Sequence, residues 1–274
     1  MRERRVSAAE ILAAFDSLAD IYAHVPPLLM WRAWELAVYR HHRLAEPVLD
    51  LGCGDGRFFR RTWGDLADVV GVDADEGVVD GARRVGLYRE VHHAPAHLLP
   101  FADGALASVF ANCAVEHMDH LDAVLAEVAR VLQPGGTFLL SVVTDSFVEW
   151  GPLRAVLSAC ATPEIADRAQ QVHRDYHHLV NALPLGEWVT RMAAAGLATE
   201  EWSPLVQGPA GWMFLLMDQL WHMPQPGGEY GEQFMTTMRT LPNLETGSRL
   251  IFEGLLELSP PGGTPAGLVL CARK

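Results

Sequence analysis

Between Val48 and Phe59 the chain reads VLDLGCGDGRFF. A four-residue apolar run carrying one aspartate stops in glycines at alternate positions, Gly52, Gly54 and Gly56. A run this short and apolar, bounded by turn residues, is a buried strand. A strand that ends in a glycine-rich loop before a helix marks the place where open α/β sheets hold their ligands. Glycine adopts positive φ and lets a ligand lie against bare main chain. The helix that begins near Arg57 aims its free amides the same way. This one loop therefore constrains both the fold class and the kind of molecule the fold can hold.

The flanking pattern agrees. VVGVD (69–73) reads as a second strand, followed by a helix in EGVVDGARRVG; REVHHA reads as a third strand and LASVFAN (106–112) as a fourth. HLDAVLAEVARVL is a helix ended by Pro134-Gly135-Gly136, and TFLLSVV (137–143) is a fifth strand. Strands alternating with helices imply a parallel sheet with right-handed crossovers. Ahead of this core, Phe15, Leu18, Ala19 and Tyr22 recur at helical spacing. Pro26-Pro27 interrupts, and a second helix carries Trp31, Trp34 and Tyr39. After the fifth strand the alternation lapses. Residues 145–184 and 185–196 read as helical, LATEEWSP (197–204) as a sixth strand, and AGLVLCARK as a seventh. Residues 205–262 read as an insertion with two helical pieces and a PQPGGEYG loop. The expectation is a single α/β domain over residues 1–274, a doubly wound, mostly parallel seven-stranded sheet. Residues 1–46 form a helical cover, 47–144 the cofactor-binding core, and the helical insertions 145–184 and 205–262 the acceptor pocket.

Composition excludes several classes. The 274 residues carry a formal charge of −13, which repels phosphate backbones and argues against a nucleic-acid partner. The four cysteines are widely separated, with no CxxC pair, so neither a zinc ribbon nor a disulfide framework is expected. The longest greasy stretch, Gly211–Met223, contains Asp218 and falls short of the roughly 20 residues a bilayer span requires. No signal-peptide pattern is read at the start, and a cytoplasmic protein without stable membrane insertion is expected.

The loop's spacing narrows the ligand. Arg57 stands where the dinucleotide fingerprint has its third glycine, which argues against a nicotinamide oxidoreductase, and no GK[ST] follows as in a P-loop. Asp50 and Asp55 crowd the loop and are poor neighbours for a pyrophosphate, so a cationic ligand without phosphates fits better. Asp73 ends the second strand, where a carboxylate accepts from both hydroxyls of a ribose. Capping of the next helix is the alternative role.

VLDLGCGDGRFF, VVGVDAD, LLPFADGALASVFANCAVEHM and EVARVLQPGGTFLLS, in this order, resemble successive motifs of the class I S-adenosylmethionine-dependent methyltransferases, and most closely the small-molecule subgroup. The resemblance covers residues 47–144 well and touches Phe15–Ala19 with Tyr22, and LPLGEWVTRMAAAGL. It implies S-adenosyl-L-methionine as cofactor, with S-adenosyl-L-homocysteine as product. Gly52, Cys53, Gly54 and Gly56 would then lie along the methionine and ribose, with Asp50 bracing the loop and facing the ammonium. Asp73 would hold the ribose diol, Ala74 would sit beside the adenine, and Ala96 and His97 would approach its edge. Asn112 and Cys113 would contact the methionine near the sulfonium. Pro95 departs from the family, which often has an acid there for the adenine amino group. Glu116-His117 matches the family's EH pair; His117 is read as fixing the following turn, with a role as base the alternative.

Acceptor contacts are expected outside this shared core. VHRDYHHLVN (172–181) is the richest stretch, and His177 and His178 are the candidate catalytic bases, since histidine titrates near neutral pH. His173 and His177 also have metal-pair spacing. Without an HExxH pattern no metal is expected. Trp150, Trp212, Met213, Met217 and Trp221, with Trp31 and Trp34 from the cover, suggest a bulky or apolar small-molecule acceptor. Methyl transfer in specialised biosynthesis is the leading reading. A regulator or assembly factor that binds the nucleoside without turnover is the alternative from another class, and a transferase moving a different part of the cofactor is a third.

Overall fold

The computed structural model describes residues 1–149, 151–258 and 262–274. In chain order the elements are β1 (Arg2–Glu3), α1 (Ala8–Tyr22), α2 (Pro26–Tyr39), β2 (Val48–Leu51), α3 (Arg57–Trp63), β3 (Val69–Asp73), α4 (Glu76–Val85), β4 (Glu90–His93) and β5 (Leu106–Asn112). A short 3₁₀ turn (Val115–His117) leads to α5 (Leu121–Val131), β6 (Leu132–Val143), α6 (Asp145–Glu149), α7 (Pro152–Cys160), α8 (Pro163–Tyr176), α9 (Leu185–Ala194) and β7 (Ala198–Gln207). The remainder is α10 (Gly208–Trp221), β8 (Pro224–Gln225), β9 (Gly228–Glu229), α11 (Tyr230–Met238), α12 (Leu244–Glu257) and β10 (Pro265–Arg273).

The main sheet has the order β1-β7-β10-β6-β5-β2-β3-β4. β2 pairs in parallel with β3 on one side and β5 on the other. The chain thus winds outward through β3 and β4, then returns to the opposite flank of β2. The crevice at the carboxyl ends of β2 and β5 is the switch point where such sheets place ligands. β10 runs antiparallel between β6 and β7. One apolar cluster fills the face under α1, α2 and the insertions, with Phe15, Trp31, Tyr39 and Phe110 buried in it. A second fills the other face, around Val124, Val128, Trp188 and Met192.

Three details differ from the sequence reading. The sheet has eight strands, because Arg2 and Glu3 add an edge beside β7; Arg2 and Arg4 hold it there by pairing with Glu201. The PGG segment lies within β6 rather than ending α5: Gly135 donates to the Lys274 carbonyl (2.9 Å) and Lys274 donates back to Gly136 (3.1 Å), so the C-terminus extends the pairing. The second insertion holds three helices, α10 to α12, and its PQPGGEYG segment forms a small hairpin of β8 and β9. Pro26 does not only interrupt. It occupies the first turn of α2, where its missing N–H costs nothing. No helix among the described residues is long and apolar enough to cross a membrane.

Candidate functional site

The floor of the site is the loop after β2. The amides of Gly52 and Cys53 both donate to the Val72 carbonyl, at 2.8 and 3.1 Å, which folds the loop back over β3. Gly52 has φ +73°, and a Cβ there would lie 2.6 Å from the Ala114 Cβ. Gly56 caps α3 at φ +75°, with its missing Cβ replaced by the Tyr88 ring 2.7 Å away. The positive φ values and the close approaches explain why side chains are absent at these two positions. Beneath the loop, Cys53 is buried against Val79, Ala82 and Val91. Asp50 is buried too, accepting from the Tyr88 hydroxyl at 2.6 Å. Burial pushes its carboxyl up to about 7 against the opposing pull of that hydrogen bond. Asp50 therefore braces the loop from below.

Asp73 closes the floor on the β3 side. Its Oδ2 accepts from the Gly54 amide and its Oδ1 from the Asp75 amide, both at 2.9 Å. Asp75, not Asp73, caps α4, accepting from Gly77 at 2.8 Å. Asp73 is thus released from the capping role and keeps lone pairs for other donors. A cavity of about 550 Å³ opens above it at the carboxyl ends of β2 to β5, bounded by Gly52, Asp73, Ala74, Pro95, Ala96, His97, Cys113 and His117 among others. That volume is in the range of nucleoside-sized pockets, about 300–1,000 Å³. His93 holds the rim by its contact with the Ala74 carbonyl at 3.0 Å.

The far wall is set by a residue the sequence reading passed over. Glu35 on α2 is fully buried. Its Oε1 accepts from Trp31 Nε1 (3.0 Å), Ser141 Oγ (2.6 Å) and Cys113 Sγ (3.0 Å), and its Oε2 from Arg32 (2.6 Å). Asn112 Nδ2 approaches both oxygens at 3.3–3.4 Å. One carboxylate therefore ties the helical cover to the end of β5, where Cys113 takes φ +45° and its amide donates to Ser141 Oγ at 3.0 Å. Burial, with the Glu35 charge adding to it, pushes the Cys113 thiol well above its ordinary value, so it is a neutral wall and not a nucleophile. The available signal was an Arg32–Glu35 pair at helical spacing in the otherwise apolar PPLLMWRAWELAVY, since glutamate is almost never fully buried unless paired.

The structure places six of the twelve predicted cofactor residues on the cavity wall, and Tyr22 is not among them. Gly52, Asp73, Ala74, Ala96, His97 and Cys113 line the cavity, while Asp50, Cys53, Gly54, Gly56 and Asn112 support it from behind. Tyr22, at the end of α1, packs half-buried against the core of the same face. The candidate bases are not brought to the cavity. His177 turns toward Asp218 at 3.0 Å, and the His178 side chain is exposed. The segment around them is stitched to the EH turn: Val180 and Asn181 amides donate to the Glu116 carbonyl (3.1 and 2.9 Å), and His117 Nδ1 meets the His178 carbonyl at 3.3 Å. Trp31 is buried between Glu35 and Cys113. Trp212 and Met213 lie exposed on α10, and Trp150 lies outside the described residues.

An open α/β sheet with a glycine loop and a strand-ending carboxylate at its switch point is the Rossmann-like arrangement. Residues 49–140 match the family described as a methyltransferase domain. The chain is 34% identical over 154 residues to the malonyl-[acyl-carrier protein] O-methyltransferase of Serratia marcescens, an alignment covering 54% of this chain and 52% of that protein's length. It is 26% identical over 221 residues to a ubiquinone/menaquinone biosynthesis C-methyltransferase of Cupriavidus metallidurans, covering 73% and 89%. The fold matches that of an S-adenosylmethionine-dependent methyltransferase from Mesorhizobium loti with TM-score 0.53 and 17% identity, covering 89% of this chain and 98% of that one. Residues 49–140 are thus similar to a methyltransferase domain, and the chain spans about half the length of the first curated relatives it matches. The residues present are compatible with S-adenosyl-L-methionine, the cofactor of such domains: glycines at 52, 54 and 56, an Asp73 carboxylate with lone pairs to spare, and no lysine or arginine on the cavity wall.

Proposed function

We propose that the protein catalyses transfer of a methyl group from S-adenosylmethionine to a small, apolar acceptor of specialised metabolism, by in-line displacement at the methyl carbon. The observation that carries this reading is the convergence of four strand ends on one cavity, with glycine at position 52 of its wall and Asp73 keeping lone pairs on its floor. When bound, the cofactor supplies an electrophilic methyl on a positively charged sulfur. The chain's task is to hold that carbon in line with the acceptor and to exclude water, an orientation effect of about 7–11 kcal/mol. The Glu35 network fixes the wall around Cys113 on which this alignment depends.

His117, not His177 or His178, is the histidine of this region that lines the cavity. A carbonyl oxygen only accepts, so the contact with His178 places the hydrogen on Nδ1 and leaves the Nε2 lone pair free. Burial pushes the imidazole below its ordinary value, which keeps it neutral and able to take a proton from an acceptor hydroxyl or amine. General-base assistance of this kind contributes about 10²–10⁴-fold. The relatives named for a quinone pathway and for an acyl-carrier-protein substrate support carbon or oxygen as the methylated atom.

The test is a panel of apolar phenols, enols, quinols and carboxylic acids assayed for S-adenosylhomocysteine formation. His117→Gln should lower kcat on the active acceptor by about 10²-fold or more, the low end of the base contribution, with a much smaller change in S-adenosylhomocysteine affinity. A folded protein that binds the cofactor tightly but turns over nothing in the panel would favour the regulatory alternative. An unaltered kcat in His117→Gln would remove the base.

A further inference from the structure

A cluster of imidazoles packs against Phe147, and none of its members lines the cofactor cavity. His173 and His177 stand four residues apart at the C-terminal end of α8; Asp218 and His222 stand four apart at the C-terminal end of α10. Residues at this spacing share one helix face, and here the two faces meet. His173 Nε2 and His177 Nε2 approach Asp218 Oδ2 at 2.9 and 3.0 Å, and His222 Nε2 approaches Oδ1 at 3.7 Å. The donor atoms of His173, His177 and Asp218 all lie within 4.8 Å of one another. His173 and Asp218 are buried, and His177 and His222 nearly so.

We propose that these four side chains form a binding site for a divalent transition metal, zinc by preference, which clamps α8 to α10. Three imidazole nitrogens and one carboxylate oxygen are a donor set that suits zinc. With metal–ligand distances near 2.0–2.1 Å, neighbouring donors of a tetrahedral zinc stand about 3.3 Å apart. His173 and His177 stand 2.9 and 3.0 Å from Asp218 Oδ2, close to that value; His222 faces the other oxygen, Oδ1, at 3.7 Å and would complete the set by a turn of the carboxylate on binding. Pairs of ligands from two facing helices are the usual way a helical layer builds a metal centre.

Three independent features point the same way. Glu229 accepts from, or pairs with, His222 Nδ1 at 3.0 Å, which leaves Nε2 turned inward. A carboxylate behind a metal-ligating imidazole is the common outer-shell arrangement. Both ligand pairs sit at helix C-termini, where the helix dipole favours a cation. Asp218 is a buried charge, and among the described residues no lysine or arginine pairs with it; a buried charge is paired or coordinates a metal. Phe147 stacks on His173 (5.5 Å) and Tyr176 on His222 (4.0 Å), closing two sides with aromatic rings. With four protein ligands the site is of the closed, structural kind. The sequence could not show it, because HxxxH supplies two donors and the other two arrive on a helix forty residues later.

The experiment uses the full untagged chain, stripped with a chelator and titrated with zinc chloride by calorimetry, and with cobalt(II) chloride by visible absorption. The expected result is one zinc per chain, an intense tetrahedral cobalt spectrum, and a rise in Tm with zinc. Asp218→Asn or His177→Gln should lose that binding by 100-fold or more, and Glu229→Gln by about 10–100-fold, while His24→Gln leaves it unchanged. If Asp218→Asn does not fold, His222→Gln, at the more exposed edge of the cluster, reads the same site. The absence of stoichiometric zinc uptake by the folded wild type overturns the proposal, as does an octahedral cobalt spectrum or binding that His222→Gln leaves intact. None of these readouts involves methyl transfer, so the outcome is separate from that of the proposed function.

Discussion

Replacing Asp73 by asparagine probes the cofactor cleft most directly. The variant keeps the side chain's size and one carbonyl oxygen, and loses the charge and one acceptor. In the structure each carboxylate oxygen already accepts one amide, Gly54 at Oδ2 and Asp75 at Oδ1, both at 2.9 Å. Each has a second lone pair left for a ribose hydroxyl. Asparagine can serve only one side in this way; its NH₂ group then faces a backbone donor and, beyond it, a hydroxyl that has lost its acceptor. A hydrogen bond to a charged group contributes about 1.5–3 kcal/mol. Losing one ribose bond therefore weakens S-adenosylhomocysteine binding by about 10–150-fold at 1.4 kcal/mol per decade. Asp73→Ala loses both arms and should bind more weakly still. Calorimetric titration of the three proteins at one ionic strength measures this, with thermal unfolding as the control for the loop. If folded Asp73→Asn binds within about threefold of wild type, less than 0.7 kcal/mol on the same scale, the ribose assignment is wrong and Asp73 serves only as the acceptor for Gly54 and Asp75.

Gly52→Ala and Gly54→Ala form a matched pair. Both force a non-glycine residue to positive φ, at about 1–2 kcal/mol, but only the Gly52 variant also drives a Cβ to 2.6 Å from Ala114; its Tm should fall further, and equal losses would count against the close approach. Glu35→Gln strands Arg32 and sets an amide NH₂ among donors from Trp31, Ser141 and Cys113; the expected cost in urea unfolding is about 3 kcal/mol, and a loss below about 1 kcal/mol, the range of an exposed pair, would show that the network does not organise the wall. Glu116 is fully buried, and burial pushes its carboxyl from 4.5 up to about 8. The folded state thus holds a proton that the unfolded chain releases. The stability associated with it is complete below 4.5 and falls by about 1.4 kcal/mol per pH unit on approaching 8. Glu116→Gln should remove that contribution, leaving the similar slope from Asp50, which is raised to about 7 and so levels off sooner; parallel stability–pH curves for wild type and variant between 4.5 and 8 would refute the assignment.

The cofactor half of the site was legible because it is local. The loop runs unbroken from Gly52 to Gly56, and Asp73 reaches it across 19 residues of one β-α-β unit. Positive φ, the strand-ending acid and the helix start are all written in neighbouring letters. The edge strand was not legible: two residues carry no periodicity, and Arg2 and Glu3 are placed by Glu201, about two hundred positions away. Glu35 was hidden for a similar reason. Its helix was read correctly, but its partners Asn112, Cys113 and Ser141 come from two different strands. His177 was singled out for its chemistry, yet its direction is set by Asp218 on α10, and no pattern in VHRDYHHLVN contains that information.

This division has a structural consequence. The Phe147 ring meets Trp31 edge-on at 5.8 Å, Phe214 at 6.4 Å, His173 in a stack at 5.5 Å and His177 edge-on at 5.4 Å. Trp31 in turn reaches Cys113 at 3.2 Å and Glu35 at 3.0 Å. One aromatic side chain thus joins the two inserted helices to the wall at Cys113 and Glu35. Close-packed rings do not deform continuously, so a shift of α8 against α10 is carried through Phe147 to Trp31 before it reaches the glycine loop. The floor that holds the ribose is anchored separately, through Val72 and Asp73. The insertions can therefore diverge to suit different acceptors while the loop and its acid remain in place, which is why local motifs identify the cofactor and the acceptor must be found by experiment.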